Sequence, residues 1–262
     1  MKLAETTVEF ALLAQTKTIL LQKNPVGFFI ASMKAGAYVG VGILLIFSVG
    51  ESVDPSIRNL VMGCSFGIAL TLVIFAGSEL FTGHSMFMAF GLLGRATSLR
   101  DLGLCWSATW IGNLAGCIVL AALFVAGGGG NVLQEGADLL NAVAIKKMSA
   151  PAVELVARGM LCNWLVCLAI WTSARTKSDT AKCILIFWCL FAFIAAGFEH
   201  SVANMTIFAV ALMSEHPDAV TFAGAAHNLV WVTIGNAFSG AGVMGVGYWV
   251  ASGRPRVAAE RN

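Results

Sequence analysis

The sequence predicts an all-α integral membrane protein, with six transmembrane helices arranged as two inverted three-helix repeats and with helices 2 and 5 broken. Three observations predict it. Of 262 residues, 58% are hydrophobic and 11% charged, against roughly 45–50% and 25% in an average soluble domain. So little charge cannot coat a globule of this size, and most of its surface must face lipid. Six apolar segments reach spanning length, about 20 residues: 27–49, 57–77, 102–126, 153–174, 183–213 and 222–251. Short matches also recur between the two halves. Ala76 to Glu79 (A-G-S-E) and Ala196 to Glu199 (A-G-F-E) lie 120 residues apart, Ile111 to Asn113 and Ile234 to Asn236 (both I-G-N) lie 123 apart, and so do Gly36 and Gly159. Each half then holds three spans, an odd number, so the halves must be inverted.

Residues 1–24 mix Lys2, Glu5, Glu9, Lys17 and Lys23 with apolar positions and lack the compact apolar stretch and cleavage site of a signal peptide. Val8, Leu12, Leu13, Ile19 and Leu20 suit an amphipathic cytoplasmic helix lying on the membrane face, or a tail helix packed on the bundle. Residues 25–252 form the transmembrane domain, with repeats at 25–126 and 153–252, and 253–262 form a cytoplasmic tail.

Two spans are abnormal. The second runs into Ser78 to Ser85, which carries Glu79 and His84, before a short apolar run to Leu93; the fifth is interrupted at Glu199, His200 and Asn204. Backbone that is non-helical at membrane depth survives only where protein or a wet cavity satisfies it, and interrupted helices meeting near the midplane are where transporters hold their cargo.

Placing the N-terminus inside puts eleven basic residues on the cytoplasmic side: Lys2, Lys17, Lys23, Arg95, Arg100, Arg175, Lys177, Lys182, Arg254, Arg256 and Arg261. Arg58, Lys146, Lys147 and Arg158 fall outside, and Lys34 can snorkel to the inner face. The bias sets both termini in the cytoplasm. Gly127 to Gly130 reads as a flexible exterior linker, not a phosphate loop, since no Gly-Lys-Ser/Thr follows it. The pairs Gly36/Gly40, Gly63/Gly67 and Gly112/Gly116 suit close helix packing. The seven cysteines, with no C-x-x-C among them, read as small core residues.

The net charge of +2 offers no footprint for nucleic acid. No Ser-His-Asp set, zinc-protease H-E-x-x-H or C-x-x-C-H is visible, and no enzyme is expected. His84, His216 and His227 would be needed as axial ligands in a haem-bearing subunit, but their positions do not face one another readily; a structural membrane protein is a further alternative.

His200 is the sharpest candidate, because an ionisable group in mid-membrane is expensive. Either protonation form can meet a small anion, and the plain alternative is a neutral histidine satisfied by Glu199 or a carbonyl. Glu79 and Glu199 are expected to accept hydrogen bonds from loop N–H groups, in preference to transferring protons directly. Thr82, Asn163 and Asn204 can replace part of an ion's hydration shell or glue helices together. Phe66, Leu70, Leu80, Phe81 and Phe193 flank this centre as apolar collars or as ordinary core.

The runs S-E-L-F-T-G (Ser78 to Gly83), G-F-E-H-S-V-A-N-M (Gly197 to Met205), L-C-N (Leu161 to Asn163) and the two I-G-N segments resemble the formate/nitrite transporter family over nearly the whole chain. The resemblance implies an aquaporin-like protomer and a homopentamer with one pore per protomer and no cofactor. It implies that His200 meets the permeating anion with Thr82 as its partner across the interruption. Glu199 flanks the histidine, Asn163 and Asn204 lie near it, and Lys147 is an outer basic residue that attracts anions. Phe66, Leu70, Leu80, Phe81 and Phe193 match two hydrophobic constrictions. The activity implied is conduction of nitrite and similar small monovalent anions across a bacterial inner membrane, in a passive or proton-linked manner; a formate or hydrosulfide pore is the alternative. The doubled Asn-Pro-Ala of water channels is absent, and at His84 the sequence departs from the formate-type pattern, where a smaller residue is usual.

Overall fold

Local capping chemistry starts several of the helices. In the computed structural model, which describes residues 2–257, α1 (Leu3–Lys23) opens with the Lys2 N–H donating to Glu5 Oε2 at 3.0 Å. Helix α2 (Pro25–Glu51) opens with Pro25 in its first turn and Asn24 Oδ1 accepting the Gly27 N–H at 2.9 Å. Both devices satisfy first-turn N–H groups or remove the need to. Helices α3 (Arg58–Ser65) and α4 (Ile68–Phe75) follow, joined through Phe66 and Gly67, then α5 (Phe81–Leu93) and α6 (Leu99–Ala126), the last behind a Ser98–Asp101 capping box. A connector carrying α7 (Leu139–Met148) leads to α8 (Ala152–Ala174), α9 (Asp179–Ala195), α10 (Ser201–Met213) and α11 (Phe222–Phe238). The last continues through a π-helical stretch, Ser239–Val246, into α12 (Gly247–Ala251). All regular structure among the described residues is helical. Residues 258–262, and with them Arg261 and the end of the expected tail, lie outside the described residues.

Among the described residues, five helical stretches are long and apolar enough to cross a membrane: Pro25–Glu51, Arg58–Phe75, Leu99–Ala126, Ala152–Ala174 and Phe222–Ala251. The remaining expected span, 183–213, is carried by two shorter pieces, α9 and α10, because the chain leaves helical conformation at Ala196 to His200. The second segment likewise stops at Phe75 and restarts at Phe81. Large apolar side chains point outward all round, Val153, Phe222, Leu123 and Trp188 among them, as expected of a protein whose solvent is lipid.

Helix α2 lies against α6, and α8 against α11, with backbones almost touching. A Cβ on Gly36 would collide with the Asn113 carbonyl, one on Gly116 with the Met33 carbonyl, and one on Gly235 with the Val156 carbonyl. These approaches bring Asn113 and Asn236 to the centre of the bundle.

Three expectations need correction. Cys105, Cys117, Cys162 and Cys167 are buried, but Cys64 and Cys183 are exposed and Cys189 is half-buried, so the cysteines do not share one core role. Helix α1 packs on the bundle through a face that its apolar stripe did not mark. Thr6, Thr7, Phe10, Ala11, Ala14 and Thr18 are buried, whereas Leu12 and Ile19 are exposed. Phe10 stacks among Phe87, Phe90 and Trp171 at 5.2, 5.8 and 5.7 Å, and small or hydroxyl neighbours let α1 come close enough for that. His84 sits within the first turn of α5 and not in the interruption.

The close approaches predict that Gly116→Val lowers the thermal unfolding midpoint of the detergent-solubilised protein, a loss of about 1–3 kcal/mol. Gly103→Val, whose added Cβ meets nothing within 4 Å, should leave the midpoint where it is.

Candidate functional site

Two interruptions meet at the centre and are framed by the same bonds. Gly77 and Gly197 take positive φ, 69° and 71°, the left-handed turn that glycine allows at least cost. The Ser78 N–H then donates to the Val73 carbonyl at 3.1 Å and the Phe198 N–H to the Phe193 carbonyl at 3.0 Å. Next, the Glu79 N–H reaches the Ala31 carbonyl and the Glu199 N–H the Arg158 carbonyl, both at 3.3 Å. The helix restarts under an asparagine. Asn113 Oδ1 accepts the Phe81 N–H at 2.9 Å while its Nδ2 donates to the Ser32 and Glu79 carbonyls at 2.8 and 2.9 Å. Asn236 does the same for the other interruption, taking the Ser201 N–H at 2.9 Å and donating to the Gly159 and Glu199 carbonyls at 2.8 and 3.0 Å. Each amide thus satisfies two backbone groups that have left the helical ladder, and its third bond, to the Ser32 or Gly159 carbonyl inside α2 or α8, ties the interruption to a neighbouring helix.

The two carboxylates do not bond to loop N–H groups as expected; those donors are taken by Asn113, Asn236 and the carbonyls above. Glu79 instead pairs with Lys17 of α1 at 2.6 Å and meets His84 Nε2 at 2.7 Å. Glu199 takes Lys147 of α7 at 2.9 Å and Asn204 Nδ2 at 2.6 Å, and Asn204 also donates to Asn228 Oδ1 at 2.8 Å.

At the position where one interruption places Leu80, the other places His200. Its Nδ1 accepts the Ala203 N–H at 3.1 Å, capping α10, and its Nε2 lies 3.2 Å from Thr82 Oγ1 across the junction. With Nδ1 committed as an acceptor, the neutral ring carries its hydrogen on Nε2, directed at Thr82. Asn163 does not touch His200. It lies behind Thr82, where Nδ2 donates to the Thr82 carbonyl at 3.3 Å, to Ser85 Oγ at 2.9 Å and to the Asn236 carbonyl at 2.6 Å.

Two cavities approach this centre from opposite sides. One, of about 370 Å³, is lined by Arg58, Lys146, Lys147, Arg158, Glu199, Phe193 and His200. The other, of about 360 Å³, is lined by Lys17, Lys182, Glu79, Leu70 and Leu80, with Phe10 and Leu13 of α1 forming part of its wall. Between them is a void of about 10 Å³ that shares Phe193 and His200 with the first cavity and Leu70 and Leu80 with the second, room for one water at most. Phe66 also lines it, edge-on to Phe193 at 5.4 Å, and Phe193 stacks on His200 at 6.0 Å. Phe81 is elsewhere. Its ring is edge-on to Trp106 at 6.2 Å and faces a separate groove with Trp110 and Thr233.

The family model for formate/nitrite transporters matches residues 5–250. The chain belongs to the formate/nitrite transporter family. It is 54% identical to the nitrite transporter NirC of Escherichia coli over 233 residues, covering 89% of this chain and 86% of that one, and equally to NirC of Salmonella typhimurium. It is 34% identical over 220 residues to the formate channel BtFdhC of Bacillus thuringiensis, with 82% of each chain covered. Among solved structures it matches an ion channel of this family with a TM-score of 0.92 at 52% identity over 94% of this chain and 98% of the other. A pentameric formate channel with formate bound matches with a TM-score of 0.74 at 26% identity, over 88% and 98%. The chain is therefore a multi-pass helical membrane protein of a family of transporters and channels, not of enzymes.

Sequence reasoning marked Asn113 and Asn236 only as repeat anchors and Lys17 only as a basic residue. The I-G-N recurrence was the available signal for the first two, since a polar residue repeated at membrane depth needs a partner in each half. Replacing Asn236 by Ala should orphan the Ser201 N–H and the Glu199 carbonyl, cut the tie to Gly159 of α8, and destabilise the protein by about 3 kcal/mol, read as a lower unfolding midpoint; Asn228→Ala, which leaves the interruption's backbone bonds intact, should lower it less.

Proposed function

We propose that the protein conducts nitrite and similar small monovalent anions across a bacterial inner membrane. One observation carries this reading: His200 and Thr82, contributed by opposite interruptions, face each other beside an apolar void that separates two cavities lined with basic side chains. The likeness to NirC, named a nitrite transporter, favours nitrite over the formate carried by more distant relatives. The likeness to a pentameric channel supports a homopentamer with a pathway in each protomer.

In this reading residues 25–126 and 153–252 are two inverted three-span repeats in an aquaporin-like protomer, spans 2 and 5 being broken at 76–80 and 196–200. The matched bond patterns at the two interruptions support it. The bias of basic residues in the short loops supports an orientation with residues 1–24 and the 253–262 tail in the cytoplasm and α7 on the far side.

An anion drawn to Lys147 and its basic neighbours meets no bare carboxylate, because Glu199 is already engaged by Lys147 and Asn204. It sheds water where Phe66, Phe193, Leu70 and Leu80 close the void, and the Nε2–H of His200 and the hydroxyl of Thr82 replace part of that hydration. Backbone N–H groups at the restart of α5 and α10 favour negative charge nearby. The ring geometry also limits proton traffic. The neutral ring has one hydrogen, so it can pass a proton to the anion only after Nδ1 has been protonated, which requires the Ala203 N–H to give up its acceptor. Crossing as the anion uses the ring as a hydrogen-bond donor; crossing as the neutral acid uses it as a proton donor that uncaps α10.

His200→Asn keeps an amide donor and removes the titratable ring. In proteoliposomes, nitrite flux through this variant should lose its dependence on external pH between acid and neutral conditions and fall in rate at least about tenfold. Flux and pH response both unchanged would remove His200 from the pathway.

A further inference from the structure

The carboxylates beside the two interruptions are neutralised differently. Glu199 has one cation, Lys147, and one neutral amide, Asn204. At Glu79 the residue five positions on is His84, and the cation is Lys17. The His84 ring is buried, edge-on to Phe28 of α2 at 5.9 Å and 5.9 Å from Phe87 of its own helix. The charged groups at this site are Glu79 and, on its other oxygen, Lys17 of α1. Helix α6 contributes the Thr109 hydroxyl and, behind it, the Cys105 thiol, which lies 3.9 Å from Thr18 Oγ1.

The hydrogens can be counted. The Thr109 hydroxyl donates its single hydrogen to the Cys105 carbonyl at 2.6 Å. Toward His84 Nδ1, 3.5 Å away, the same oxygen is left only to accept, an arrangement that favours a hydrogen on Nδ1. Nε2 faces Glu79 Oε2 at 2.7 Å, while the ammonium of Lys17 sits 2.6 Å from Oε1. A carboxylate held by an ammonium on one oxygen stays ionised and accepts on the other, so Nε2 carries a hydrogen as well.

We propose that His84 is a buried imidazolium and that it sets the charge of the cavity at the α1 end. Resting on the anion-pathway reading above, this makes His84 a positioning residue for transport. It does not line the cavity, but Glu79 does, and the second cation turns a carboxylate that Lys17 alone would leave neutralised into a site with one net positive charge. The α7-end counterpart, with Asn204 in the equivalent place, has none. An anion entering from the α1 end is thereby held more strongly than the Lys–Glu pair alone would hold it, and α1 is drawn to the interruption by the same carboxylate.

Two measurements test this. Ring nitrogen-15 shifts of the full chain in lipid bilayers at neutral pH, with the His84 signal identified by its loss in His84→Asn or His84→Gln, should show both nitrogens protonated; a ring with one bare nitrogen overturns the proposal. In inside-out and right-side-out vesicles, His84→Asn should raise the half-saturating nitrite concentration about three- to tenfold for entry at the α1 end. Maximal flux, and entry at the α7 end, should not change. Half-saturation that shifts equally at both ends, or not at all, also overturns it. If the unaltered protein moves no small anion, the pathway reading fails, and the nitrogen shifts still decide the protonation of His84.

Discussion

Backbone that leaves a helix deep inside an apolar protein must find partners for the N–H and C=O groups it frees, and in this chain two asparagine amides hold the groups at each helix restart. Asn113 and Asn236 each take one N–H at a helix restart and donate to two carbonyls. A single amide, with one acceptor oxygen and two N–H donors, can hold both loop groups and still bond to a neighbouring helix, which a hydroxyl, with one donor, cannot. The glycine approaches at Gly36 and Gly235 are the sterical counterpart, because only backbones that nearly touch bring α6 and α11 close enough for their asparagines to reach. Once the loops are fixed, Leu80, Thr82, Glu199 and His200 are fixed with them.

Equal frames make the differences between the halves informative. Leu80 and His200 stand at the same place relative to their asparagine clamps, and one closes an apolar void while the other brings the polar ring to its edge. His84 and Asn204 differ likewise beside their carboxylates. The frame is doubled, but the chemistry placed on it is single: one imidazole with its hydrogen facing Thr82, and one flanked by a carboxylate and a hydroxyl. Lys17 and Lys147 come from elements outside the interruptions, α1 and α7, so both ends of the molecule are tied to its centre through a lysine and a buried glutamate. Such pairs are costly to break once buried, because the carboxylate left behind is uncompensated.

Much of this was legible in the chain itself. Low charge and apolar segments of spanning length announced the membrane, Glu79 and Glu199–His200 marked where the second and fifth spans leave helical conformation, although His84 and Asn204, read with them, lie in α5 and α10, and the G-F-E-H-S-V-A-N-M run named the family. The partners of the glutamates were not legible, since nothing local distinguishes a carboxylate that binds loop N–H groups from one that binds a lysine more than fifty residues away. The packing face of α1 was missed for a similar reason. Leu12 and Ile19 of its apolar stripe are exposed and Val8, Leu13 and Leu20 only half-buried, while the buried face is built of threonine and alanine around Phe10, small enough for stacking on Phe87, Phe90 and Trp171. Phe81 belonged by motif to the constriction, yet its side chain turns toward Trp106 because the residue that restarts α5 points away from the residue before it.

The pathway proposed for this protein runs through the void at His200, with room for one water at most, and would pass small monovalent anions and nothing larger. Flux through proteoliposomes of the full chain across a graded anion series tests it most directly. Nitrite and formate should pass and compete with each other, while sulfate, which is doubly charged and cannot be stripped of its water by a single imidazole and a hydroxyl, should be excluded. Passage of sulfate, or of no anion at all, would contradict it.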